Sequence, residues 1–167
     1  MMKTPTDWAK LHHALGPATD VPEKLAELTR RTTPNSGPDD ALWEWLLSAL
    51  VHQGEVYPAT FAATPEIFRA CESKGDDVKI DLLWFIGLAE HGRQKANADL
   101  SPSLLAGHEA AVESAKSEVA DLVRRTSAPG KLRQLFETLS ALHGQTFLTD
   151  QLHHIDYIPD DVLDASR

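Results

Sequence analysis

Two carboxylates stand where a carboxylate is costly. Glu44 lies between Trp43 and Trp45, and Asp81 lies inside an apolar run three residues before Trp84. A charged side chain on a central helix must reach solvent or a partner, because burying it alone is expensive. Glu44 and Asp81 could pair as general acid and base. Asp81 could instead bond a loop amide or the neighbourhood of Lys79 and be structural. Both could also stand on the exposed side of a helical repeat, where such proteins meet their ligands. Tyr57, with His52 and Gln53 close before it, poses a similar choice between a packed corner and a rim of contacts.

Eight histidines invite a metal or acid–base reading. His52, His91 and His143 are each followed by glycine within two residues, which places them at helix C-termini. An imidazole there bonds orphan carbonyls and, when protonated, suits the helix dipole. The adjacent pairs His12-His13 and His153-His154 point about 100° apart on a helix and chelate poorly. Asp150, His154 and Asp156 form a weak ion site at best, against a solvated tail. No two histidines at four-residue spacing flank a glutamate, so the zinc-protease pattern is absent. Cys71 falls inside a helix with only Arg69 nearby and reads as an inert buried thiol. Nucleophile elbows, phosphate-cradling glycine loops and dinucleotide fingerprints are missing. Catalytic residues, cofactors and metals are therefore not expected, and the chain reads as a non-enzyme.

The elements that must position these residues are helices. Thr4, with Pro5 and Asp7 behind it, predicts a first helix whose Trp8, Leu11 and Leu15 share a face, ended by Gly16-Pro17. Asp20 with Glu23 suggests a capping box for a second helix bearing Val21, Leu25 and Leu28. Residues 31–38 form a loop. A third helix spans about 39–52 and is apolar nearly all round, which places it centrally. Gly54 stops it. A fourth covers about 58–72, and Pro65 should kink or split it near Ala62. A fifth, also central, runs from Asp76 or Asp77 and ends at Glu90-His91-Gly92. Residues 93–100 are a polar loop. Ser101-Pro102 opens the longest helix, reaching about Arg125, with Leu105, His108, Val112, Ala115, Val119 and Leu122 on one face. Pro129-Gly130 breaks the chain before a helix that ends at His143-Gly144. A short helix near 149–154 and an acidic tail follow. The His-Gly stops recur, the first two glycines 38 residues apart, as in a stack of antiparallel helix pairs.

The bulk numbers narrow the class. A chain of 167 residues holds one domain with room for an ordinary core. A helical-repeat domain is expected over 1–144, with an acidic segment over 145–167 packed on or trailing from the last helix. One cysteine excludes an internal disulfide framework. No apolar run approaches the roughly 18 residues that span a membrane. The N-terminus lacks the apolar stretch of a signal peptide, so a cytoplasmic protein is expected. The net charge of -9 disfavours nucleic acid and suits a basic partner or simple solubility.

Several polar and glycine positions fit one family. Trp8, Leu11, His13, Ala14, Leu15, Gly16, Ala18, Asp20, Val21 and Pro22 resemble the opening of a bacterial HEAT-like repeat family. The resemblance continues at Ala41-Leu42, Leu46, Leu50, His52-Gln53-Gly54, Tyr57, Ala59-Thr60, Ala63 and Pro65, and covers roughly the first 90 residues. It implies an all-α fold of antiparallel helix pairs stacked as a short α-solenoid, and an adaptor that binds another macromolecule. Some members resemble genes beside toxin or secretion loci, which implies an immunity role.

The expected function is a non-catalytic protein–protein interaction module. Its acidic groove would be flanked by Trp45, Tyr57 and Trp84, with Glu44, His52, Gln53 and Asp81 as further binding candidates. The partner would be a basic protein, such as a bacterial toxin that this chain neutralises; neither nucleic acid nor membrane is expected. The alternatives are a HEAT-like base-excision enzyme and a self-associating adaptor. The first would need a cationic groove, for which Arg124, Arg125, Lys131 and Arg133 offer a local basic patch. The second would pair as a homodimer through the longest helix.

Overall fold

The computed structural model describes residues 6–37, 39–96 and 100–154. Seven α-helices occur among them: α1 (Val21–Arg30), α2 (Ala41–Leu50), α3 (Pro58–Cys71), α4 (Asp76–Lys95), α5 (Pro102–Arg125), α6 (Pro129–Leu142) and α7 (Thr146–His154). The fold is all-α, with extensive helix–helix packing. The apolar run of α4 makes it the centre: it packs on α3, α5, α6 and α7. Leu82, Leu83, Phe85, Ile86 and Ala89 are fully buried along it. Each large apolar side chain so covered contributes about 1.5–3 kcal/mol. The near-continuous apolar run of α2 likewise buries Leu42, Trp43, Leu46, Ala49 and Leu50. Most of the stripe expected on the longest helix is buried, His108, Val112, Ala115, Val119 and Leu122 of α5, while Leu105 is half-buried.

The N-terminal segment differs from the expectation. Thr4 and Pro5 lie outside the described residues. Residues 6–20 form no α-helix. A 3-10 turn at Trp8–Lys10 leads into a two-stranded pairing of β1 (His12–His13) with β2 (Gly16–Pro17), then a second 3-10 turn at Ala18–Asp20. Leu15 is 63% exposed at the hairpin tip instead of sharing a face with Trp8 and Leu11. Buried His13 organises this corner. Its Nε2 donates to Asp20 at 2.9 Å, and its Nδ1 accepts the Leu15 amide at 3.1 Å. That bond engages Asp20, whose side chain makes no capping bond to α1.

The second glycine stop is overturned as well. α4 continues through His91-Gly92 to Lys95. Gly92 is needed for contact instead: a Cβ there would meet Val56 Cγ1 at 2.6 Å and the Gly54 carbonyl oxygen at 2.7 Å. Gly54 belongs to the 3-10 turn at His52–Gly54 that follows α2, where Gln53 (φ 51) and Gly54 (φ 81) both adopt left-handed backbone. The glycines of the first two stops therefore touch. One turns the chain and the other makes room for that turn.

Other boundaries shift in ways packing explains. α3 is one continuous helix through Pro65. It is held between α1, α4 and α5, and that burial offsets the roughly 3 kcal/mol an internal proline costs. Pro129 is the first residue of α6, where a missing amide does no harm. α7 starts at Thr146, earlier than the expected 149, and packs on α6 and α4. The third stop holds: His143 caps α6, and Gly144 has φ 74.

Candidate functional site: a groove between α4, α6 and α7

A groove of about 430 Å³ opens where the turn after α2 meets α4, α6 and α7. Leu47, Val51, Trp84 and Leu88 supply apolar walls, and α7 supplies a polar side. Trp84 Nε1 donates to Glu137 Oε1 at 3.0 Å. The same oxygen lies 2.9 Å from His153 Nδ1. A carboxylate only accepts, so Nδ1 carries the proton. Glu137 is 3% exposed, yet no Lys or Arg among the described residues pairs with it.

A second pair holds the other side. His91 Nε2 donates to Asp150 Oδ1 at 3.0 Å, and Lys95 Nζ reaches that oxygen at 2.8 Å. These partners hold the Asp150 carboxyl below the usual carboxylate range, Lys95 contributing most. His91 Nδ1 is buried without a hydrogen-bond partner. His91 therefore sits within α4 and bonds a side chain of α7, not the orphan carbonyls of a helix end.

The candidate residues are only partly gathered. Gln53 and Trp84 line this groove together. Tyr57 lies round the corner with Gln53, Glu55 and Lys95 in a shallow neighbouring hollow. Its hydroxyl donates to Glu55 at 2.9 Å, and burial followed by Glu55 raises its pKa. His52 is exposed on the turn. Glu44 is exposed in a separate hollow with Asn35 and Ser48. Trp45 packs on the N-terminal corner, its ring 5.7 Å from that of His13 and Lys24 above it at 6.0 Å.

Asp81 takes the loop amide: Asn35 N donates to it at 2.7 Å, and Gln134 approaches at 3.3 Å. Burial pushes its pKa up, against those bonds. Lys79 pairs with Glu118 instead. Glu44 and Asp81 share no hydrogen bond among the described residues, so nothing joins them as an acid–base pair. The same loop is pinned by Arg31 on Asp40, with Nη1 to Oδ1 at 2.8 Å. Arg31 chiefly brings the Asp40 carboxyl down to about 2, against burial.

Two buried groups escaped the sequence reading. Glu137 and Glu90 are carboxylates within apolar helical runs, the signal that singled out Asp81. Glu90 accepts from Arg93, Gln94 and fully buried His108, the last at 2.9 Å. His108 had a place on the apolar stripe of α5, but only the fold brings Glu90 to it. Among the described residues no three His, Cys, Asp or Glu side chains are grouped to hold a metal ion. Asp156 lies outside them. No helix among them is long and apolar enough to cross a membrane.

Fold and groove together define an all-α, multi-helix protein with a half-open polar groove along its last helix. Family models, curated proteins and solved structures offer no match to this chain.

Proposed function

We propose that this chain is a non-catalytic protein-binding module, built as a short HEAT-like α-solenoid, whose acidic surface receives a basic protein. Within that class it is an immunity or inhibitor-like protein, cytoplasmic, acting on a basic toxin. The observation that carries the reading is how the charges are spent. Lys10, Lys24, Arg31, Lys79, Arg93 and Lys95 each pair with a carboxylate of their own chain. Glu23, Asp39, Glu44 and Glu72 stay exposed, with no ion pair among the described residues. Unpaired negative charge is therefore presented outward, with Asp39 and Glu44 flanking the start of α2. Such a surface steers a cationic partner and speeds its association.

The packing order supports the repeat reading. α1 lies on α3 and α3 on α5, α4 lies on α6, and α3/α4 and α5/α6 are consecutive pairs. Stacked helix pairs make those neighbours. The basic patch that favoured a nucleic-acid enzyme loses its charge to local partners. Arg124 pairs with Asp121, Arg125 with Asp76, and Lys131 with Asp77, while Arg133 reaches the Leu152 carbonyl at 3.4 Å.

The test is capture from the native host with wild-type protein and with an Asp39→Lys/Glu44→Lys variant. A basic partner that is retained at low salt, released by added salt and lost in the variant is expected. A partner retained equally by the variant would refute the acidic-surface reading.

A further inference from the structure

Glu137 is a nearly buried carboxylate with one oxygen engaged and the other open to the groove. Its side chain is 4% exposed. Both of its hydrogen bonds, from Trp84 Nε1 and His153 Nδ1, fall on Oε1. Oε2 has no hydrogen-bond partner among the described residues. Lys95 lines the same groove but is turned to Asp150. Oε2 is not a sealed, unpaired atom, so it meets the groove and is open to a donor that enters there. The groove it lines carries Trp84, Leu88, Leu47 and Val51 as apolar walls, with His91 and Asp150 among its polar members.

We infer that the groove is a socket for an arginine side chain presented by the basic partner; this rests on the protein-binding reading above. Apolar walls and one aromatic ring suit the aliphatic stem and flat face of a guanidinium, which is weakly hydrated and stacks on aromatic rings. The open oxygen of Glu137 supplies the acceptor that a guanidinium requires. His153, donating to Oε1 from α7, fixes the carboxylate so that Oε2 is the oxygen left for the ligand. Arg and Trp dominate the energetics of protein interfaces in such desolvated pockets.

The test uses the full chain and a blocked Gly-Arg-Gly peptide, with its citrulline counterpart as the uncharged near-isostere. The Trp84 indole N–H resonance is followed by NMR. A saturable millimolar shift with the arginine peptide is expected, with at least about tenfold weaker binding for citrulline. Glu137→Gln should weaken the arginine peptide by a similar factor and leave the citrulline peptide unaffected. The wild-type comparison decides the matter even if the variant folds poorly. No saturable shift with arginine, or an equal one with citrulline, overturns the socket, even if a basic partner is still captured at Asp39 and Glu44. A shift that grows with protein concentration alone would put a second copy in the groove and overturn it too. Loss of capture in the Asp39→Lys/Glu44→Lys variant with an intact arginine shift supports both readings.

Discussion

Replacing Glu90 with Gln should uncouple the stability of this fold from acid in a way that can be measured. Glu90 is 4% exposed, at the contact between α4 and α5. Its carboxyl lies at about 2, below the ordinary 4.5. Burial raises it, and the hydrogen bonds from Arg93, His108 and Gln94 overcome that. A fall of that size corresponds to roughly 3 kcal/mol of folding stability, at about 1.4 kcal/mol per unit. The folded value lies below the unfolded one. The stabilisation is therefore full above the ordinary value and is lost as pH falls through 4.5 toward 2. Urea unfolding followed by far-ultraviolet circular dichroism would compare wild type and Glu90→Gln at pH 7 and about pH 3. The expected gap is about 3 kcal/mol at pH 7, and about 2 kcal/mol of it should vanish by pH 3. Other carboxylates titrate in the same window, but they do so in both proteins and cancel in the difference. A gap that stays constant between the two pH values would refute the network as an electrostatic device and leave it a matter of packing.

Gly92→Ala should destabilise the fold by about 1–3 kcal/mol in the same assay, because the Gly54 carbonyl cannot yield like a side-chain tip. Gly87→Ala should cost less, since its new Cβ would meet Thr138 Cγ2 at 3.2 Å. Burial pushes the Cys71 thiol up to about 12, so iodoacetamide at pH 8 should leave the native protein unmodified and label it fully in urea.

The helices were legible because their periodicity and punctuation agree. α5 starts at the expected proline, and the apolar run from Val78 to Ala89 marks the centre of α4. The N-terminal segment was not legible. Its apolar spacing suits a helix, but His13 ties it to Asp20 and the Ala14 amide bonds the Ala49 carbonyl at 2.9 Å. Those are distant partners that spacing cannot reveal. Gly92 misled for a related reason. A glycine after histidine signals a stop, and only the approach of Gly54 shows that it makes room for another chain segment. Of the candidate site, Trp84 and Gln53 meet as part of one groove. Glu137, His153 and Asp150 come from helices far along the chain, and their convergence is a property of packing.

Three carboxylates of α4 and α6, Glu90 and Glu137 buried and Asp81 half-buried, divide by how their two oxygens are used. Glu90 accepts on both oxygens, from Arg93, Gln94 and His108. Asp81 also accepts on both, from Asn35 and Gln134. Each links elements distant in sequence, and each would serve that role with no ligand present. Glu137 is as buried as Glu90, but both of its donors fall on one oxygen and the other opens to the groove. The distinction therefore runs along how the two oxygens are used, not burial: the saturated carboxylates hold the helices together, and the half-used one faces a groove lined by apolar and polar side chains alike.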